Sequence, residues 1–280
     1  MALSEKMRTS IITLLNREFA MKDLGPLSYF LGIKVSRTKN NMFLIKTSYK
    51  KEIIECAGLT SSNPARTRVG TNSKLCANSG PPVSNPTQYR SLTGALQYLT
   101  FVLPDISYAV QQICLYMHDP RTSHLHALKR IVRYIHSILH FSNHLYTSGI
   151  IIWLHTEVDW GGCPDTRHST SGYCVFLGDN LISWSSKRKP TLTRSSVEAE
   201  YRGAANAVSD TFWIRSLKLE LHCPINKATH VFFDNVSDIF LSGTLYNINA
   251  QSILRWTSTL CVKRLLVVKF MSNMFHLDFK

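Results

Sequence analysis

The sequence predicts an α/β protein in which a helical region precedes a mixed sheet with flanking helices. Three apolar stripes at helical spacing occupy residues 87–141, and the pattern changes to strand spacing from Ile150 onwards. A capping box at Ser195 and Glu198 then opens a long helix. With 280 residues, 44% of them hydrophobic, the chain has enough apolar material for one large or two modest domains.

The first 86 residues predict two helices, one hairpin and a linker. The helices have apolar residues at helical spacing, and Asn40 with Asn41 predicts the hairpin turn. The last segment is rich in Ser, Asn, Pro, Thr and Gly, a composition typical of linkers. The expected bounds are residues 11–19 for the first helix, 24–45 for the hairpin, 48–57 for the second helix and 61–86 for the linker.

Three amphipathic helices follow, separated by Pro104 and Pro120. The third carries a basic edge formed by Lys129, Arg130 and Arg133. Such an edge suits contact with the phosphates of a nucleic acid. A solvated charged face is the commoner use of such residues, so both interpretations stay open.

From Ile150 the chain predicts a mixed α/β domain of about 95 residues. Lys187 and Arg188 end its hairpin, where they either contact a nucleic-acid backbone or are simply solvated. The expected elements are a buried strand at 150–153, hairpin strands at 173–177 and 181–184, a helix from Ser195 to about Leu221, and a strand at 230–233 that Asp234 closes.

The charge is divided unevenly along the chain. Residues 1–150 hold 18 Lys and Arg against 7 Asp and Glu, whereas residues 151–242 hold 9 against 10 and the last 38 residues 5 against 1. A basic half followed by a neutral segment with most of the acids is the layout expected of a nucleic-acid enzyme that uses metal ions. A basic domain beside an ordinary one is the alternative.

Several protein classes are disfavoured by the sequence. It contains no apolar run of about 18 residues, so we expect no membrane-spanning helix, and no secretory signal is visible. The seven cysteines are scattered and never in CxxC spacing, which argues for a reducing compartment and against zinc. His136, His140 and His144 are spaced by four, as on one helical face, but lack Cys or carboxylate partners and are interpreted as surface residues.

Acidic residues fall at the ends of three elements of the last domain. Glu157 and Asp159 follow the first predicted strand, Glu198 and Glu200 lie in the first turns of the helix, and Asp234 ends the later strand. Carboxylates that converge in this way bind hard divalent cations, and two such cations can clamp a phosphodiester. Helix capping and solvated loops are the alternative explanation.

Eight motifs occur in the order typical of one family, and they cover residues 1 to about 243. Together they resemble the C-terminal half of the Pol polyprotein of copia-type LTR retrotransposons. The motifs are FAMKDLGPL (19–27), YFLGI (29–33), YRSLTGALQYL (89–99), PDISYAV (104–110), HSTSGY (168–173), ISWSSK (182–187), SSVEAEY (195–201) and FDNVS (233–237).

The resemblance implies a remnant of the reverse-transcriptase palm, a helical connection and a ribonuclease H-like mixed sheet with flanking helices. In that family the enzyme copies element RNA into DNA and degrades the RNA strand of the hybrid. The implied divisions are 1–60 for the end of the reverse transcriptase, 61–86 for a linker, 87–148 for the thumb or connection, 149–243 for the ribonuclease H-like domain and 244–280 for an atypical tail.

The resemblance also implies site residues, cofactors and partners. Glu157, Glu200 and Asp234 match the carboxylates that hold two Mg²⁺ ions, whereas Asp159 is the second acid of its motif and is interpreted as structural. The implied partner is an RNA–DNA hybrid or another nucleic acid, with no membrane and with an oligomeric state that the sequence does not define. The implied location is cytoplasmic, in a virus-like particle, or nuclear.

Two departures from the family argue against full activity. Glu157 stands where the family has Asp, in TEVDW (156–160), and the extra methylene suits a magnesium site poorly. The polymerase's paired aspartates belong upstream of the residues equivalent to 1–4, and these 280 residues contain no Asp-Asp pair. We therefore expect no polymerisation and little or no cleavage, with a non-catalytic nucleic-acid-binding remnant or a pseudogene product as the alternatives.

The sequence leaves the family pattern abruptly after Gly243. Codons allowed for Thr244 to Leu260 can be chosen so that reading one base earlier restores the family's terminus. Our hypothesis is that residues 244–280 are a frameshifted reading, which would remove the acid-bearing final segment. Sequencing the gene tests it, and the hypothesis is wrong if no single-base shift restores that segment.

Overall fold

A computed structural model of the chain describes residues 5–20, 25–39, 41–70, 74–233 and 260–264. The described residues form a mixed α/β structure with two sheets, which confirms the predicted fold class. Within this part of the chain, no helix combines the length and the apolarity that crossing a membrane requires.

The first sheet is antiparallel, with strand order β1-β2-β3-β4. Its hairpin confirms the prediction, but its fourth strand was not predicted from the sequence. That strand returns from the far side of the helical region, where His144 stacks on Phe43 with ring centroids 4.0 Å apart. The elements are α1 (Glu5–Glu18), β1 (Tyr29–Phe30), β2 (Ile33–Arg37), β3 (Asn41–Ile45) and β4 (Asn143–Tyr146).

The helical region is built around one core of large aliphatic side chains. Leu96, Leu99, Leu128 and Ile135 are fully buried there, and Ile53 of the preceding helix packs into the same core. Asn85 caps one helix by accepting a hydrogen bond from the Gln88 backbone N–H at 3.0 Å. The helices are α2 (Thr47–Cys56), α3 (Pro86–Leu99), α4 (Ser107–Cys114), which follows a 3₁₀ turn at Pro104–Ile106, and α5 (Thr122–Ser137).

Buried Lys50 joins α2 to the end of α5. Its Nζ donates to the carbonyl oxygens of Ile138 at 2.9 Å and Phe141 at 2.6 Å, which satisfies acceptors that a helix end leaves free. Burial lowers the pKa of Lys50 to about 8, although Asp105 opposes the shift.

The described parts of the segment predicted as a linker contact α5 and the residues just before it. Its Ala65 N–H donates to the Arg133 carbonyl at 3.0 Å, and the Val83 N–H donates to the Pro120 carbonyl at 3.0 Å. A short bridge also pairs Pro82 with Arg121. These contacts hold the segment against the helical core.

The second sheet is mixed, with strand order β7-β6-β5-β8-β9. Its central strand extends further than predicted, because Glu157 and Asp159 pair with Gly172 and Thr170 inside the strand instead of following it. Gly178 turns the predicted hairpin with a φ of 59°. The elements are β5 (Ile152–Asp159), β6 (Thr170–Leu177), β7 (Asn180–Arg188), α6 (Ser196–Glu220), β8 (Thr229–Phe233) and β9 (Leu260–Arg264).

Strand β9 lies within the atypical tail, where it pairs parallel to β8. The frameshift of residues 244–280 stays a prediction, because it concerns the gene rather than the fold. Apart from residues 260–264, the tail lies outside the described residues.

Candidate functional site

The start of α6 is fixed by its cap. The Ser195 hydroxyl accepts a hydrogen bond from the Glu198 N–H at 3.1 Å, with the extended backbone typical of a cap. The Glu198 carboxylate accepts from the Arg194 N–H at 2.8 Å and pairs with Arg202 at 2.8 Å. Glu198 therefore stabilises the helix start, which leaves Glu200 as the candidate ligand in these first turns.

Small residues let α6 approach the sheet closely. Ala199, Ala204 and Ala207 are buried along one face of the helix. A Cβ at Gly203 would lie 2.7 Å from Val158 Cγ2 and 2.9 Å from Ser171 Oγ, closer than side chains tolerate. Since this contact is at the end of β5, the turn that precedes Gly203 along the helix lies beside that strand end.

Glu157 is on the other side of β5. Side chains alternate along a strand, and Val158 faces α6, so Glu157 belongs with His155 and Asp159 on the opposite face. Glu157 and Glu200 are both partly buried. Glu157 therefore leaves β5 on the face away from Val158, two residues before the strand ends, and Glu200 lies one turn before Gly203 on α6.

Asp234 lies outside the described residues. Its neighbour Phe233 ends β8, which runs parallel to β5 with Trp153 opposite His230 and His155 opposite Phe232. Among the described residues, no group of three or more His, Cys, Asp or Glu side chains could hold a metal ion.

Asp159 has a structural contact. Its carboxylate pairs with Lys74 at 2.7 Å, which ties the segment before α3 to the sheet. The same carboxylate lies so close to Gly162 that a side chain there would collide with it. This agrees with the interpretation of Asp159 as a structural acid.

The five basic residues considered for contact with nucleic acid fall into two groups, three arginines bonded to the protein and two exposed lysines. Arg130 Nη2 donates to Thr67 Oγ1 at 2.6 Å, Arg133 Nε donates to the Asn63 carbonyl at 2.7 Å, and Arg188 contacts Cys163 and Thr166. These arginines hold neighbouring loops in place. The other two side chains, Lys129 and Lys187, are exposed.

One face of β5 carries a stack of rings that sequence reasoning did not identify. His155 stacks on Phe232 with centroids 4.8 Å apart, and Trp153 stacks on His230 at 4.9 Å. Burial lowers the pKa of His155 to about 4, so this ring is neutral near pH 7. The alternation of aromatic residues along β5 and β8 could have predicted this stack from the sequence.

The three histidines spaced by four, which were interpreted as surface residues, do not lie on one helix. Helix α5 ends at Ser137, so it contains His136 but neither His140 nor His144. His144 lies in β4, stacked between Phe43 and Tyr146. Repeated spacing of four residues indicates a common face only while the helix continues.

Comparison with known proteins identifies the family, although no family model matches the chain. The uncharacterized mitochondrial protein AtMg00810 of Arabidopsis thaliana is 40% identical over 213 residues, which are 75% of this chain and 88% of the relative. The retrovirus-related Pol polyprotein from transposon RE1 of the same plant is 39% identical over 231 residues. This chain belongs to the copia-type retrotransposon Pol family.

The match to the RE1 Pol polyprotein covers 81% of this chain but only 16% of the polyprotein. Among solved structures, the foamy viral protease-reverse transcriptase in complex with double-stranded DNA matches 86% of this chain and 38% of its own, with a TM-score of 0.45 and 12% identity.

Proposed function

We propose that this chain is a segment of a copia-type Pol polyprotein whose second sheet and α6 carry a ribonuclease H-type site. In this proposal Glu157, Glu200 and Asp234 are the catalytic carboxylates. The site would cleave the RNA strand of an RNA–DNA hybrid, weakly or not at all in this chain. The matches to AtMg00810 and RE1 support the family assignment on which the proposal depends.

The observation that carries the proposal is the close contact between α6 and the end of β5. Gly203 sets that contact against Val158 and Ser171, and Glu200 lies one turn earlier on the helix. Strand β8 runs parallel beside β5 and ends one residue before Asp234. Carboxyl ends of neighbouring parallel strands meet at one edge of a sheet, where three acids from three elements can serve one phosphodiester.

The three proposed ligands fit a hard divalent cation in chemistry, because all are carboxylates. These residues would hold Mg²⁺, which would supply activation of water and stabilisation of the leaving 3′ oxygen. The longer side chain at Glu157 displaces its carboxylate relative to the Asp of the family, and magnesium demands near-ideal geometry. The proposal accordingly assigns the chain low activity.

A hybrid-cleavage assay with Mg²⁺ tests the site. Glu157→Asp is expected to raise the cleavage rate by about tenfold or more, since it shortens the ligand, and Asp234→Asn in that background is expected to abolish cleavage. Glu198→Gln is the matched control, because its carboxylate stabilises the helix start and is not a proposed ligand. Equal loss in the Glu198 and Asp234 variants would contradict the assignment, as would cleavage that is insensitive to Asp234.

Non-catalytic binding of nucleic acid is the second candidate. Residues 1–150 carry most of the excess positive charge, and Lys129 and Lys187 are exposed on α5 and β7. If this candidate is correct, duplex binding weakens steeply with salt while cleavage stays at background even in Glu157→Asp. Replacing both lysines by Gln is then expected to reduce the salt dependence of binding.

A further inference from the structure

A cavity of about 580 Å³ lies between residues 68–70 and 74–79 on one side and helices α4 and α5 on the other, in the helical region rather than at the carboxylate site. Ligand-binding pockets typically have volumes of 300–1,000 Å³. The walls combine apolar residues of both helices, such as Ala109 and Ile131, with polar side chains, such as Gln112 and Ser123.

Positive charge dominates this cavity. Arg68, Lys74, Arg130 and Arg133 all line it, and none of its described lining residues is Asp or Glu. The Asp159 carboxylate, which lies 2.7 Å from Lys74, offsets the charge of that lysine. Three arginines therefore surround one concave space without a carboxylate among the lining residues, an arrangement that is unfavourable unless an anion enters.

Contacts on the protein side fix two of these guanidinium groups. Arg130 Nη2 donates to Thr67 Oγ1 at 2.6 Å, and Arg133 Nε donates to the Asn63 carbonyl at 2.7 Å. Arg130 Nε is buried, and among the described residues it has no hydrogen-bond partner.

Arg68 is the third arginine that lines the cavity, and it lies near Tyr134. The Tyr134 hydroxyl donates to Asp105 at 2.5 Å, and burial with the Asp105 contact raises the pKa of Tyr134 to about 12, while Arg68 acts in the opposite direction. Asp105 is therefore already engaged with Tyr134, and it does not line the cavity.

We propose that this cavity binds a phosphate group, either of a nucleic-acid backbone or of a free phosphate compound. Guanidinium groups match phosphate oxygens in geometry and charge, and their fixed positions reduce the entropy lost on binding. The proposal is independent of cleavage, because it involves none of the three carboxylates. It also separates Arg130 and Arg133 from Lys129, which is on the same helix but does not line the cavity.

Calorimetric titration of the full chain with inorganic pyrophosphate, without divalent metal, tests the site. We expect saturable binding that Arg68→Gln weakens by about tenfold or more, and that Arg130→Lys weakens by a smaller factor because it keeps the charge but removes the planar guanidinium group. Arg66→Gln is the matched control. Arg66 lies two residues before Arg68, is exposed, carries the same charge and does not line the cavity. Its replacement is therefore expected to change the dissociation constant less than twofold.

An oligothymidylate of twelve nucleotides distinguishes the two sources of phosphate. If pyrophosphate competes with it, the cavity takes the backbone of a nucleic acid; if the two bind without competition, the cavity takes free phosphate compounds. Either result supports the site when Arg68→Gln weakens pyrophosphate binding. The proposal is overturned if folded wild-type protein does not bind pyrophosphate, or if Arg66→Gln and Arg68→Gln weaken binding equally. Hybrid cleavage is measured separately with Mg²⁺, so failure of one proposal does not imply failure of the other.

Discussion

The helical region and the second sheet are stabilised in different ways. Helices α2 to α5 enclose large, fully buried aliphatic side chains such as Leu96 and Leu128. Helix α6 instead approaches β5 through Gly203 and the buried Ala204 and Ala207. The first region depends on filled volume. The second also buries large side chains such as Ile152 and Leu154, but it depends in addition on close approach. Adding atoms at the contact between α6 and β5 should therefore damage the second sheet, whereas the helical region should be most sensitive to the removal of atoms.

The largest effect is expected from Leu128→Ala. Leu128 is fully buried in the core of the helical region, so truncation removes apolar contacts and leaves a cavity. The free energy of unfolding should fall by about 2–5 kcal/mol. Denaturant unfolding measures the loss, and hydrogen exchange should locate it in α2 to α5.

Leu219→Ala is the matched control, because Leu219 is 64% exposed on α6. Its truncation should change the unfolding free energy by less than about 0.5 kcal/mol. Similar losses in both variants would mean that the effect does not come from the buried volume of Leu128.

The next largest effect is a loss of stability of the second sheet at low pH, which we attribute to His155. The folded pKa of His155 is about 4, below the ordinary 6.5, because burial disfavours the charged ring. The unfolded chain therefore takes up this proton at higher pH than the folded chain does. The contribution of His155 to stability is complete above pH 6.5 and falls by up to roughly 3 kcal/mol as the pH decreases to 4.

His155→Phe keeps an aromatic ring beside Phe232 but removes the titration. In this variant the decrease in stability between pH 6.5 and 4 should become shallower, as measured by denaturant unfolding at several pH values. His140→Phe, at an exposed position beyond α5, should leave the slope unchanged. An unchanged slope in His155→Phe would show that this ring is not buried as described.

The helices of the helical region were easier to predict from the sequence than the strands. Helices α3 to α5 were predicted because their large apolar residues repeat at helical spacing, and the structure confirms them. Strand β4 was missed because Asn143–Tyr146 is short and pairs with β3 about a hundred residues earlier. The end of β5 was missed because Glu157 and Asp159 are charged, although both pair with β6.

The candidate site was predictable only in part. The sequence predicted a capping box formed by Ser195 and Glu198, and the hydrogen bonds of both residues agree with it. The sequence did not indicate how closely the start of α6 approaches the end of β5, since that depends on the contact of Gly203 with Val158 and Ser171. The basic cavity was equally hidden, because Arg68 and Arg130 are far apart in the chain.

Gly203→Val tests the close approach directly. The added atoms would meet Val158 and Ser171, so α6 must move away from β5, and we expect a loss of about 1–3 kcal/mol in unfolding free energy. Hydrogen exchange should increase in α6 and β5. Gly94→Val is the control within a helix, because no atom lies within 4 Å of a Cβ at Gly94, and its effect should stay below about 0.5 kcal/mol. A loss of the same size at Gly94 would attribute the effect to helix propensity instead of the contact.

The smallest effect is expected from Ser195→Ala, which removes the acceptor for the Glu198 N–H at the start of α6. Loss of such a cap costs about 1 kcal/mol. Because the cap affects only the first turn, hydrogen exchange should accelerate at residues 196–200 and leave the turn around Gly203 protected. Ser209→Ala, exposed in the middle of the same helix, should not accelerate exchange there. If exchange instead increases along the whole of α6, the helix depends on its cap more than on its close approach to β5, and the contrast between the two regions has to be revised.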